Sequence, residues 1–228
     1  MELRPVITAW AALGLLISLP RAAGAQQAQA STRMQGIMTD RLKPHELRAW
    51  KSIREIVLAK DQEGRPLYPH LYNLYSQAET GGHPIYIKLQ DQKLFSREVG
   101  KCEIELQDSG EIAITISLNL FLIDCESRAS ESGAFIPFAG LGRRERYAEV
   151  LGHELAHAVR ALQDPEYFHL YQDLTRVSKE LDQLLHKEKA GSPELDRQMD
   201  KLLSIKREIE KPAEAAEAEI WRELCRRK

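Results

Sequence analysis

An α+β fold is predicted by three features of this 228-residue chain. Apolar residues alternate with period two around residues 102–116, they recur at helical spacing over several longer stretches, and one helical stretch, residues 150–159, carries apolar residues around most of its circumference. The expected architecture is a small antiparallel sheet packed on the helix that carries His153, Glu154 and His157, with a C-terminal helical hairpin and a closing helix. The length suits one domain with an appendage and suffices to bury a core. The expected organisation is residues 1–25 as a signal peptide, 26–42 as a flexible lead-in and 43–228 as the folded domain, with 166–210 as a helical hairpin appendage.

At the N-terminus, Arg4 precedes an apolar run from Val6 to Leu19, and Ala23-Gly24-Ala25 offers small residues for cleavage before Gln26. That pattern is a secretory signal, and the run is short for a span of about 20 residues. The expected localisation is secreted or periplasmic, with no stable membrane span. Removing residues 1–25 takes away Glu2, Arg4 and Arg21, which moves the formal net charge from −2 to −3 and gives no reason to expect a nucleic-acid partner.

From Lys43 to Lys60, Leu47, Trp50, Ile53, Ile56, Val57 and Leu58 recur at helical spacing, and a second short helix is expected around Leu71 to Gln77. Ile85 and Ile87 then mark a short strand. Cys102, Ile104 and Leu106 form one arm of a hairpin, Asp108-Ser109-Gly110 its turn, and Ile112, Ile114 and Ile116 the other arm. Beyond Ser117 the pattern suits either a continued strand or a short helix.

Cys102, Cys125 and Cys225 leave one cysteine over if a disulfide forms in an oxidising compartment, and Cys102 with Cys125 is the expected pair. A straight hairpin would place Cys125 about 33 Å from Cys102, whereas a bridge needs Cα atoms within about 7 Å. Either the chain folds back near Ser117 or the two are not joined.

Residues 130–142, with Gly133, Pro137, Gly140 and Gly142, read as a loop before the motif helix, expected from Arg144 to Gln163 and stopped by Asp164-Pro165. Two further helices follow: Tyr167, Leu170, Leu174, Val177, Leu181 and Leu184 step by three and four, as do Leu195, Met199, Leu202 and Ile209. Gly191-Ser192-Pro193 separates them with a stop, an N-cap and proline at the first helical position. This hairpin is a solvated arm or the binding site of a helical partner.

On a helix, His153 and His157 stand one turn apart on one face, where both imidazoles can reach one metal ion, with Glu154 beside it. Zinc accepts such a set, binding imidazole nitrogen at about 2.0 to 2.1 Å. Val150, Leu151, Leu155, Ala156, Ala158 and Val159 around the motif are uncharged, so the helix is expected to be buried on most sides, and Gly152 leaves room for another segment to approach closely.

The stretch Val150 to Val159 resembles the extended HExxH signature of zincin metallopeptidases. The metzincin form would need glycine at 160 and histidine at 163, where this chain has Arg160 and Gln163; Asp164 is offset from the position at which other zincins place an aspartate. The gluzincin form implies a third ligand, a glutamate from a downstream helix, and Pro212 to Arg227 contains Glu214, Glu217 and Glu219. Glu217 shares a face with Ile220, Trp221 and Leu224, which makes it the expected ligand; Glu214, one turn earlier, is the second choice or an outer partner of a histidine. Glu219 falls on the solvent side. Glu149 is an outer partner or an exposed charge.

The resemblance implies an exported Zn2+ peptidase in which His153, His157 and Glu217 hold the metal, and Glu154 is the general base toward a metal-activated water. Its substrate would be a peptide or protein, held by edge pairing along Ile112 to Ile116. Tyr167, His169 and Tyr171 are the candidates for stabilising the oxyanion. The alternative is a zinc-binding scaffold of the same fold without catalysis.

Overall fold

The computed structural model describes residues 36–90, 98–107, 110–131, 141–187 and 192–226. The signal-peptide region, the turn residues Asp108 and Ser109 and most of the expected loop before the motif helix lie outside the described residues.

Strand β1 (Gly36–Met38) leads into helices α1 (Pro44–Val57) and α2 (Pro69–Thr80), followed by strands β2 (Pro84–Gln90), β3 (Gly100–Leu106) and β4 (Ile112–Asn119). Helices α3 (Leu120–Glu131), α4 (Arg143–Gln163), α5 (Pro165–Lys187) and α6 (Pro193–Cys225) complete the described chain. This is an α+β fold. The sheet order is β1-β2-β4-β3, with β1, β2 and β4 parallel and only β3 antiparallel to its neighbour. The expected antiparallel sheet is therefore a mixed one. The reason is that α1 and α2 carry the chain from β1 back to the start of β2, and the β3 excursion does the same between β2 and β4. Residues 36–38, expected within a flexible lead-in, form the edge strand β1.

Local chemistry sets the helix boundaries. Glu46 accepts a hydrogen bond from the Lys43 amide at 2.6 Å, and Pro44 occupies the first turn of α1. At the α4–α5 junction, Asp164 Oδ1 accepts from the amides of Glu166 (3.0 Å) and Tyr167 (3.3 Å), so this aspartate caps α5. Ser192 Oγ accepts from the Leu195 amide at 3.2 Å and starts α6. After Ser117 the two readings of the sequence are both realised in turn: β4 continues to Asn119 and α3 begins at Leu120, where Asn119 Oδ1 accepts from the Leu122 amide at 3.2 Å.

Cys102 pairs in register with Ile116 and is a buried free thiol, so the expected bond to Cys125 is not formed. Cys125 lies in the second turn of α3, nine residues beyond Cys102's cross-strand partner. No helix among the described residues is long and apolar enough to cross a membrane.

Helix α4 is the axis of the molecule, in contact with every other helix and with β3 and β4. Leu151, Leu155 and Ala158 are fully buried on it, packed in one core with Ile53, Leu71, Ile114, Ile116 and Ile220. The α5–α6 hairpin is not an appendage from its base. Tyr167, Tyr171 and Ile209 belong to this core, and only its far end, around Val177, Leu181, Leu195 and Leu202, forms a separate small cluster.

Gly152 is where α4 is most closely approached. A Cβ there would lie 2.3 Å from Ile220 Cδ1 and 2.9 Å from Leu71 Cδ1, so the neighbours are side chains of α6 and α2 rather than another backbone. Gly152→Ala gains helix propensity of about 1 kcal/mol but overpacks this junction at a cost of about 1 to 3 kcal/mol. We expect net destabilisation, read as a lower urea midpoint at unchanged slope, with partial recovery in Gly152→Ala/Ile220→Val.

Candidate functional site

The motif helix delivers His153, Glu154 and His157 to the floor of a cleft of about 380 Å³, walled by β3 on one side and α5 and α6 on the other. One turn of helix separates the two imidazoles, whose Nε2 atoms come within 3.2 Å of each other. Glu210 of α6 completes a triangle: its Oε2 is 3.3 Å from His153 Nε2 and 3.5 Å from His157 Nε2. Four donors around one zinc ion at about 2.0 to 2.1 Å stand about 3.3 Å apart. Among the described residues these three side chains form the one group able to hold a metal ion.

The opposite nitrogen of each ring is occupied. His153 Nδ1 donates to Glu217 Oε2 at 2.9 Å, since a carboxylate oxygen only accepts. Tyr167 donates its hydroxyl proton to the carbonyl of Ile209 at 2.7 Å, so its oxygen accepts from His157 Nδ1, also at 2.7 Å. Both Nδ1 atoms are thereby occupied on the far side of each ring, and both Nε2 atoms are turned toward Glu210 Oε2.

Glu217, the expected third ligand, is thus placed behind His153 rather than with the two Nε2 atoms, and Glu210 takes the position expected of it. The periodicity reading found the right face of α6 but the wrong turn, because Glu210 and Glu217 are seven residues apart on the same face. Pro212 caused the difference. It reads as the start of a closing helix, whereas α6 runs unbroken from Pro193 to Cys225 and carries Pro212 in its interior, which leaves Glu210 inside the helix. Glu214 is exposed and Glu219, half-exposed, pairs with Arg222. Asp164 caps α5 and pairs with Arg160 at 2.7 Å, away from the triangle.

Behind the histidines lies a buried ionic cluster. Arg146 bonds the fully buried Glu149 and lies 3.9 Å from Glu217 Oε1, so Glu149, Arg146, Glu217 and His153 form one chain of alternating charge. Burial alone would lower the His153 pKa, but the hydrogen-bonded carboxylates of Glu210 and Glu217 raise it to about 10. The same histidines hold Glu210 well below the usual carboxylate range. Glu154 behaves in the opposite way, because burial pushes its carboxyl up to about 8.

Strand β3 forms the wall next to Glu154. The Asn119 amide donates to Val99 O (2.8 Å) and the Gln107 amide to Glu111 O (2.9 Å), so with the hairpin register the odd-numbered residues of β3 bond to β4. The amides and carbonyls of Gly100, Cys102 and Ile104 therefore face the edge of the sheet that is free of a partner strand among the described residues, beside the cleft. The segment Ile112 to Ile116, expected to hold a peptide by its edge, cannot do so: β4 is an interior strand with β2 on one side and β3 on the other. Of the three aromatic candidates for a further donor, Tyr171 lines the cleft, Tyr167 is committed to His157 and Ile209, and His169 bonds Gln172 at 2.9 Å outside it.

No family model, curated protein or solved structure matches this chain. Its functional reading rests on its own residues.

Tyr167 ties α4 to α6 through one hydroxyl. Tyr167→Phe leaves His157 Nδ1 and the Ile209 carbonyl without that partner, and we expect a loss of about 1 to 3 kcal/mol in unfolding free energy, measured by denaturant titration of the metal-free protein.

Proposed function

We propose that this chain is an exported zinc-dependent peptidase, with His153, His157 and Glu210 as metal ligands and Glu154 as the general base. The observation that carries the reading is the triangle of two Nε2 atoms and one carboxylate oxygen, 3.2 to 3.5 Å on its sides, with Glu154 next in sequence to one ligand. The donor set fits zinc in kind, in number and in spacing, and it leaves a fourth position toward the cleft. Zinc bound there supplies Lewis acidity toward a carbonyl and toward water.

The residues of the chain do the rest. Glu217 and Tyr167 fix the two ring orientations by holding the Nδ1 protons, and the Arg146–Glu149 pair holds Glu217 in turn. Burial favours the protonated form of Glu154, whereas a zinc ion beside it would favour the carboxylate, and that carboxylate would take a proton from the attacking water and return it to the leaving amine. An extended peptide adds to the free edge of β3 through Gly100, Cys102 and Ile104. Tyr171, which lines the cleft, is the candidate donor to the oxyanion.

Metal stoichiometry and peptide cleavage, measured together on the mature chain, test this. The wild type should hold one zinc ion and cleave. Glu154→Gln should keep the ion and lose about 10²- to 10⁴-fold in kcat. Glu217→Ala should weaken zinc about 10- to 100-fold, as loss of an outer partner does, and Glu210→Ala should weaken it further. A zinc-free wild type would sink the reading, and zinc without cleavage would favour a non-catalytic scaffold.

Zinc uptake should also release protons. With a pKa of about 10, His153 is protonated at neutral pH in the metal-free protein, and a ligand must be neutral. Apparent zinc affinity should accordingly rise with pH, by up to about tenfold per unit for each proton displaced, between pH 7 and the pKa of His153. Calorimetry in buffers of different ionisation enthalpy measures the proton count; a count of zero at pH 7 would contradict it.

A further inference from the structure

We infer that Gly100 is a positioning residue for Glu154: its missing side chain is the space that the carboxylate occupies. The inference rests on the peptidase reading. A Cβ built at Gly100 would lie 2.4 Å from Glu154 Oε1 and 3.1 Å from its Cδ, with Val150 Cγ1 at 2.7 Å. Any side chain at this point of β3 meets the carboxylate itself.

Backbone conformation gives no other reason for glycine here. The described glycines with positive φ are Gly36, Gly64, Gly82 and Gly110, and Gly100 is not among them. It lies in a regular strand, paired opposite Leu118, where glycine costs about 0.5 to 1 kcal/mol relative to alanine. What the strand obtains in exchange is contact between its backbone and the end of the Glu154 side chain. Gly100 is also the first residue of β3 whose amide and carbonyl face the free edge, so the base and the start of that edge are packed at one point of the cleft.

The nearest obstructing atom is the far end of a flexible side chain. Substitution can therefore be absorbed by rotating Glu154 away together with a shift at Val150, which moves the group that acts on water. The three atoms nearest that Cβ belong to Glu154 and Val150, and none of them belongs to His153, His157 or Glu210.

The test uses Gly100→Ala, Val150→Ala and the double variant of the full mature chain. For Gly100→Ala we expect one zinc per chain as in wild type, KM within about threefold and kcat lower by at least about tenfold, since a displaced base loses most of its contribution. A crystal structure of the variant should show the carboxylate moved by more than about 1 Å with β3 in place. The double variant removes the Val150 contact, and its kcat should stay low relative to Val150→Ala alone; it carries the same readouts should Gly100→Ala by itself fail to fold. Wild-type kcat in Gly100→Ala, recovery in the double variant to the level of Val150→Ala, or an unmoved carboxylate beside a displaced β3 would each overturn the inference. If the wild type binds zinc and cleaves nothing, the peptidase reading fails, and the crystallographic comparison still decides whether Gly100 sets the carboxylate.

Discussion

Helix α4 buries Arg146, Glu149, Glu154 and His157 within four turns, and the arrangement of every neighbouring element follows from that. Taking such groups out of water costs several kcal/mol each unless they are paired or neutralised. Each is treated differently. Arg146 and Glu149 pair with each other, His157 bonds Tyr167, and Glu154 is held by burial in a state that keeps its proton near neutral pH. The partners from outside α4 come from α5 and α6, Tyr167 for His157 and Glu217 for Arg146 and His153, so these two helices pack against α4 at the motif. Ile209, Ile220 and Leu224 of α6 join the central core at that level, so apolar packing and polar pairing demand the same docking.

Helix α6 reconciles two jobs on one face. Glu210 and Glu217 stand seven residues apart, the first facing the Nε2 side of His153 and the second its Nδ1 side. One imidazole is thus gripped from both edges by a single helix. Pro212 sits between the two carboxylates and removes one backbone hydrogen bond from the helix interior, where any local bend changes their relative reach. The Ile209 carbonyl, next to Glu210, accepts from the Tyr167 hydroxyl, so the stretch before the proline is fastened to α5 from outside the helix.

The helices and the hairpin were legible because each buries one periodic face: Trp50, Ile53, Ile56 and Val57 in α1, and Ile104 opposite Ile114 in the sheet. Capping chemistry made the α4–α5 and α5–α6 boundaries readable within a residue or two. Strand direction was not legible, since alternation within β2 and β4 is the same whether their neighbours run parallel or antiparallel. The three-residue strand β1 is too short to show a period at all. At the site, His153, Glu154 and His157 follow from spacing within one helix, whereas Glu210 depends on how α6 docks and on Pro212 lying inside a helix rather than at its start. Gly100 was invisible for a related reason: its role is a contact between β3 and α4, and no pattern within β3 records it.

The same geometry balances the charges of the donors among themselves. Two imidazoles and a carboxylate at 3.2 to 3.5 Å would separate if their charges were unbalanced. The balance is a proton: the Glu210 and Glu217 carboxylates raise the His153 pKa to about 10, and the histidines hold Glu210 well below the usual carboxylate range. A charged imidazole between two carboxylates occupies the electrostatic role that zinc has in the proposed enzyme. In the proposed enzyme, zinc would take the place of that proton within a fold that the central core already specifies, which would separate this site from small domains whose ion replaces a missing core.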